Sequence, residues 1–234
     1  MIARVLDSLA RLRTEISACT RCARLVRCRE QAADEPPRRF ANATYWARAV
    51  PGFGDPRARL LVVGLAPAAN GGNRTGRVFT GDRSGDWLYA ALHRAGFANQ
   101  PTSVARDDGL VLHGAYVTTV VRCAPPANKP SPIERDRCLP FLVRELRALG
   151  RVRAIVALGA FAWDGALRAL RELGHEVPAP RPAFGHGASV RIGPYTLVGS
   201  YHVSQQNTFT GRLTVAMLDA VFAAAGRAAS GGSA

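Results

Sequence analysis

A chain of 234 residues with 47% apolar side chains is long enough to bury a sizeable core, in one α/β domain or at most two small ones. Its 31 basic residues, of which Lys129 is the one lysine, stand against 17 acidic ones and leave a formal charge of +14. Genomic bias accounts for many arginines but does not remove carboxylates, so the imbalance points to a polyanionic partner, most often nucleic acid. No segment approaches the roughly 18 apolar residues of a membrane span. The N-terminal MIARVLDSLARLRTEISAC is amphipathic rather than signal-like, so the expectation is a cytoplasmic protein with reduced or metal-bound cysteines and no membrane contact.

In chain order, Val5, Leu9, Leu12 and Ile16 fall on one face of a first helix. A cysteine-bearing turn follows, then EPPRRFANATYWARAVPGFGDP, whose breakers predict irregular surface structure. Arg59 to Leu65 (RLLVVGL) is a short continuous apolar run, the pattern of a strand buried on both faces, and it ends in the glycine-rich loop APAANGGNRTGRVFTGDRSGD. A helix is expected from about Asp86 to Ala95. Three more buried strands are expected at Ala115 to Val121, Val152 to Leu158 and Tyr195 to Tyr201, with helices at about Ile133 to Leu149 and Phe161 to Leu173 between them. A last helix starts at about Arg212. Residues 1–229 read as a single domain and 230–234 as a loose tail.

Strands alternating with helices imply a mainly parallel, four-stranded central sheet covered on both faces. Ligands of such sheets sit beyond the carboxyl ends of the strands, which here carry the loops at 66–85, 122–132 and 202–211.

Five cysteines stand at 19, 22, 28, 123 and 138. Cys19-Thr-Arg-Cys22 is a CxxC turn that ends a helix, whereas a thioredoxin-like pair opens one after a strand. With Cys123 after a strand and Cys138 inside a helix, four thiolates from separate segments suit either a tetrahedral zinc or a [4Fe–4S] cluster. Cys28 reads as a packing residue.

The first loop has neither the lysine of a Walker A motif nor a GxGxxG, so simple nucleotide-binding readings fail. Its glycines allow close approach of a ligand, and Phe79 offers either an aromatic face for a base or a core side chain. Asp82 and Asp86 are carboxylates near the following helix, where N-capping competes with a chemical role. Asn128 carries an amide that can match a base edge, or serves as a turn residue among prolines. His202 is the one histidine expected on the ligand edge, where it could stabilise charge on a leaving group, and Arg212 could meet a phosphate at the start of the last helix.

Together the strings GLAPAANGGNRTGRVFTGDRSGD, VVRCAPPANKP and YHVSQQNTFTGRLT, with the CxxC, resemble the family 5 (B-type) uracil-DNA glycosylases of bacteria and archaea, from about Cys19 to Met217. The resemblance implies a three-layer α/β/α fold and a structural [4Fe–4S] cluster held by Cys19, Cys22, Cys123 and Cys138 but not Cys28. It implies a monofunctional, monomeric base-excision repair enzyme acting on double- and single-stranded DNA that contains deaminated bases. Such an enzyme flips uracil, and others such as hypoxanthine, and hydrolyses the N-glycosidic bond. Carried over by position, Phe79 stacks on the flipped base and the backbone of Ala66, Pro67 and Ala68 contacts its edge. Asn128 supports recognition or catalysis, and His202 stabilises the departing O2. Asp82 serves the water or the forming oxocarbenium sugar. Ser204, Gln205, Gln206 and Asn207 lie in the segment that enters the DNA stack, with Arg212 behind them.

Two departures bear on mechanism. Ala66, Ala68 and Ala69 stand where many uracil-DNA glycosylases carry a water-activating Asp, Asn or Glu, so chemistry leans on stabilising a dissociative transition state. Thr119 stands where the related family 4 carries an asparagine, which agrees with a broader substrate range. Asn70 replaces a frequent histidine. Two other classes compete: an iron–sulfur or zinc DNA-binding protein of the same fold without catalysis, and a metal-dependent nucleotide hydrolase. The sequence lacks an Asp/Glu/His cluster of metal spacing for the latter.

Overall fold

The computed structural model describes residues 2–231; the expectations for Val5 as a packing side chain and for the tail at 232–234 lie outside the described residues. Runs such as LLVVG and AIVAL have no polar face to turn to water, and they become interior strands. The strands are β1 (Phe53–Gly54), β2 (Leu60–Gly64), β3 (Ala115–Thr119), β4 (Ala154–Leu158), β5 (Ser189–Ile192) and β6 (Tyr195–Ser200). β2, β3 and β4 are buried along their whole length.

They form one sheet in the order β1-β3-β2-β4-β6-β5. The four expected strands are its parallel centre, β3, β2, β4 and β6. The sheet nevertheless has six strands, not four: β1 and β5 pair antiparallel at its two edges. β1 is only two residues long, and β5 (SVRI) is half exposed, so neither produces an apolar run in the sequence.

The helices are α1 (Ile2–Ser17), α2 (Ala23–Asp34), α3 (Gly72–Thr75), α4 (Arg83–Arg94), α5 (Pro132–Ala148), α6 (Ala160–Glu172), α7 (Gln205–Phe209) and α8 (Val215–Ser230). Successive strand residues point to opposite faces. Leu61, Val63, Ile155 and Leu197 pack with Leu9, Leu12 and Ile16 of α1, Leu142 of α5 and Leu167 of α6. Leu60, Val62, Val156 and Val198 pack with Leu88 and Leu92 of α4 and Leu218 and Phe222 of α8. The result is the three-layer α/β/α sandwich. Among the described residues, no helix is long and apolar enough to cross a membrane.

Helix starts follow their caps. Asp82 accepts from the Gly85 N–H at 3.0 Å and starts α4 earlier than expected. Ser131 and Glu134 form a reciprocal capping box on α5. Thr214 accepts from the Met217 N–H at 3.2 Å, so α8 begins after it, and Arg212 lies in the turn before the helix rather than at its first position. Three further helices depart from expectation. α2 follows the CxxC turn where only a turn is expected, α3 lies within the glycine-rich loop, and α7 occupies much of the 202–211 loop.

Candidate active site

Gly64 pairs with Thr119 and Leu158 with Ser200, which brings the ends of all four parallel strands to one edge. After β2 the chain turns tightly: the Ala68 carbonyl accepts from the N–H groups of Gly71 at 3.2 Å and Asn73 at 3.0 Å. Pro67 is buried, and Ala66 and Ala68 are partly exposed. The Asn70 side chain has a structural partner, because its Oδ1 accepts from the Tyr45 hydroxyl at 2.7 Å.

Phe79 is only 6% exposed and has a left-handed φ of 52°. Such a backbone persists only when its surroundings over-determine it. The Tyr89 hydroxyl donates to the Val78 carbonyl at 2.9 Å. Arg77, two residues before Phe79, is buried and donates to Asp108 at 2.7 Å, Ser103 at 2.9 Å and Thr80 at 2.9 Å. Burial works to raise the Asp108 pKa, but Arg77 and the N–H groups of Leu110, Val104 and Ala105 overcome it and hold the carboxyl at about 2. The ring itself lies over Gly64, where a methyl group would overlap it. Phe79 is therefore both core and site wall, for its ring centroid is 6.3 Å from that of His202, with the planes 38° apart.

His202 is half-buried, and burial pushes its pKa down from 6.5 to about 4, so its imidazole is neutral near pH 7. Its backbone is anchored: Asn207 Nδ2 donates to the His202 carbonyl at 2.8 Å. The neighbouring Tyr201 N–H donates to His186 Nδ1 at 3.1 Å. His202 is thus not the one histidine at this edge. His186 stands behind it, its pKa lowered by burial, on a loop whose sequence gives no hint of the contact.

Asp82 caps α4 through one carboxylate oxygen, the other lies so close to Gly71 that a Cβ there would collide with it, and burial raises the pKa. Asp86 is exposed and 3.8 Å from Arg83. Asn128 is exposed on the loop beyond β3 with a left-handed φ of 56°, and no hydrogen bond among the described residues holds its amide or joins it to Phe79 or His202. Gln205 and Gln206 are exposed in the first turn of α7, with Ser204 at its N-cap, whereas the Asn207 amide is turned inward to His202. Arg212 is exposed, its guanidinium 4.7 Å over the Tyr201 ring.

Away from this edge, Cys19, Cys22, Cys123 and Cys138 line one cavity together with Leu25 and Ala49, and Cys28 is not part of it. Cys22 is the N-cap of α2, so the CxxC joins two helices. Burial pushes the thiols of Cys123 and Cys138 up, to about 12 and about 11. Arg29 of α2 is 4% exposed and donates from Nη1 to Cys123 Sγ at 3.3 Å and to the Cys19 carbonyl at 3.1 Å. No carboxylate pairs with it and its Nε is without a partner among the described residues. A buried cation needs an opposing charge. Four thiolates on a bound metal centre supply one, so the donor set and its surroundings fit such a group. Among the described residues, no three Cys, His, Asp or Glu side chains converge closely enough to hold a single metal ion.

The chain belongs to the uracil DNA glycosylase superfamily, whose family profile matches residues 51–226. Within it the chain belongs with the Type-5 group. It is 54% identical over 217 residues to the Type-5 uracil-DNA glycosylase of Mycobacterium tuberculosis, a match covering 92% of this chain and 80% of that protein. The Type-5 uracil-DNA glycosylase of Thermus thermophilus is 50% identical over 202 residues, 85% of this chain and 88% of the relative. The Type-4 uracil-DNA glycosylase of Pyrobaculum aerophilum is more distant, 36% identical over 130 residues, 55% of this chain and 56% of its own length.

Proposed function

We propose that this chain excises uracil, and other deaminated bases such as hypoxanthine, from DNA by flipping the nucleotide out and hydrolysing its N-glycosidic bond. The observation that carries the reading is the pair formed by Phe79 and a neutral His202 at the carboxyl edge of the sheet. A base stacked on the Phe79 ring presents O2 to the imidazole N–H. As the C1′–N1 bond breaks, its electron pair leaves with the base, and the imidazole donates a hydrogen bond to the developing charge on O2. Water then adds to C1′, and the proton it loses neutralises the departed base.

Ala66, Ala68 and Ala69 offer no group to activate that water. The Asp82 carboxylate oxygen that faces the same loop supports the positive sugar or orients the water. The side-chain amide of Asn128, held by no hydrogen bond among the described residues, is free to pair with a base edge. Thr119 supports a broad substrate range: its hydroxyl is spent on the Val121 carbonyl at 2.8 Å, leaving no amide to discriminate at that wall. Ser204, Gln205, Gln206 and Arg212 line the side toward the duplex.

Cys19, Cys22, Cys123 and Cys138 are the proposed ligands of a [4Fe–4S] cluster. Thiolates spread around a cavity suit four separate irons better than one tetrahedral ion, whose sulfurs must close to about 2.3 Å from a common centre. When bound, the cluster supplies a structural tie between the α1–α2 junction and the β3–α5 segment, and a counter-charge for Arg29. The proposed protein is a cytoplasmic monomer that acts on double- and single-stranded DNA.

The test is incubation of the iron-loaded protein with a uracil-containing duplex, then alkaline cleavage of abasic sites. Strand scission at uracil is expected. Its absence from cluster-loaded protein would leave only a DNA-binding protein of the same fold. A panel of lesions then ranks the bases, and a colourless, zinc-loaded preparation would overturn the cluster.

A further inference from the structure

Between α2 and β1 the residues RRFANATYWAR, 38–48, run along the loop that follows β2. They are fastened to it: the Tyr45 hydroxyl donates to Asn70 Oδ1 at 2.7 Å, the Trp46 N–H to the Arg74 carbonyl at 2.9 Å, and the Ala47 N–H to the Asn73 carbonyl at 3.1 Å. Two aromatic rings of this strap are each flanked by two guanidiniums. Arg39 and Arg74 stand 4.8 and 4.1 Å from the Phe40 ring, and Arg48 and Arg106 stand 5.6 and 4.7 Å from the Trp46 ring.

A guanidinium held by its face keeps its in-plane N–H edge open, and the stack removes side-chain freedom that binding would otherwise have to remove. Arg39, Arg48 and Arg106 are exposed, and no hydrogen bond or ion pair engages their guanidiniums among the described residues. Elsewhere on the surface, Arg24, Arg94 and Arg144 are each paired with a carboxylate. Trp46, Arg48 and Arg106 also border a groove of about 820 Å³ with Arg13, in which Glu30 is the sole carboxylate. Planar forks held open in this way suit the paired oxygens of phosphodiesters.

We infer that the strap 38–48, with Arg106, is a second DNA-contact wall that grips backbone phosphates of the strand leaving the base site. The inference rests on the glycosylase reading for the course of that strand. Through Tyr45 and Asn70 the wall also braces the loop of Ala66 to Ala68, so phosphate binding and base recognition share one support.

The experiment is the salt dependence of binding of a dye-labelled duplex to the full chain and to the Arg39→Gln/Arg48→Gln/Arg106→Gln variant, with thermal unfolding as the check of fold. The log–log slope is expected to fall in magnitude by about 2 to 3 and the affinity at low salt at least tenfold. Single-turnover uracil excision by the unchanged chain at saturating enzyme, measured alongside, tests the reading on which the wall rests. Should the triple variant unfold, Arg106→Gln alone, expected to lower the slope by about 1, carries the same test. The control is Arg153→Gln/Arg191→Gln/Arg227→Gln, which removes equal charge from a groove at the opposite edge of the sheet. An unchanged slope in the strap variant, or an equal loss in the control, overturns the wall. A chain that binds as expected yet leaves uracil in place overturns the glycosylase reading instead.

Discussion

Gly64, the last residue of β2, lies directly beneath the Phe79 ring, and its missing side chain is the space the ring occupies. Gly64→Ala must push the ring from its place or the strand from its register. Overpacking of this kind costs about 1 to 3 kcal/mol of stability. Excision is expected to fall at least tenfold in single-turnover assays while affinity for undamaged duplex is kept, because the stacking platform moves and the DNA-facing surface does not.

His202→Ala removes the proposed donor to the departing base, and single-turnover excision should fall by roughly a hundred- to a thousandfold with DNA affinity little changed. Its titration gives a separate signature. With a folded pKa of about 4 against 6.5, the unfolded chain takes up a proton in that window and the folded chain does not. Stability must therefore decline as pH falls from 6.5 toward 4 and change no further through this group below that. Urea midpoints across the window should lose this part of their slope in His202→Gln.

Asp108→Asn leaves Arg77 buried without its partner, beside the strained backbone of Phe79. Breaking a buried pair in this way costs about 3 kcal/mol or more. A lowered urea midpoint and a weaker hold on the Phe79 backbone are expected, the latter read as slower excision. The sign with pH is opposite in origin to that of His202: the contribution of Asp108 is complete above 3.8 and disappears as pH falls toward 2.

For the cysteine cavity, Cys138→Ser should lower bound iron and the associated visible absorption, whereas Cys28→Ser should keep both, since Cys28 stands outside the cavity. Equal loss in the two variants would put Cys28 among the ligands.

The parallel core was readable from particular runs, because RLLVVGL and VRAIVAL offer no polar face and must lie inside a sheet. The edge strands were not, since two residues at Phe53 and four half-exposed ones from Ser189 resemble any surface loop. α2 escaped notice for a similar reason: only Leu25 and Arg29 of its length are buried, so it lacks an apolar stripe. Phe79, Asp82 and His202 could be placed at the carboxyl edge of the sheet because they lie on loops that follow strands. His186, Arg77 and Arg29 could not be found, because a buried arginine or a bracing histidine is defined by partners distant in the chain. Asn207 illustrates the limit of carrying roles by position: its amide is engaged by the His202 carbonyl at 2.8 Å rather than held out toward DNA.

The edge-on register that joins Gly64 with Thr119 and Leu158 with Ser200 also separates two kinds of change open to this protein over evolutionary time. The groups proposed to face the base hang from the loops at 66–85, 122–132 and 202–211, while the strands beneath are locked by backbone pairing and buried aliphatic side chains. Residues 66–70 or 203–210 can therefore drift, and the proposed range of damaged bases with them, without the scaffold having to be rebuilt. The sheet acts as a fixed chassis, and the repertoire of lesions is an interchangeable fitting.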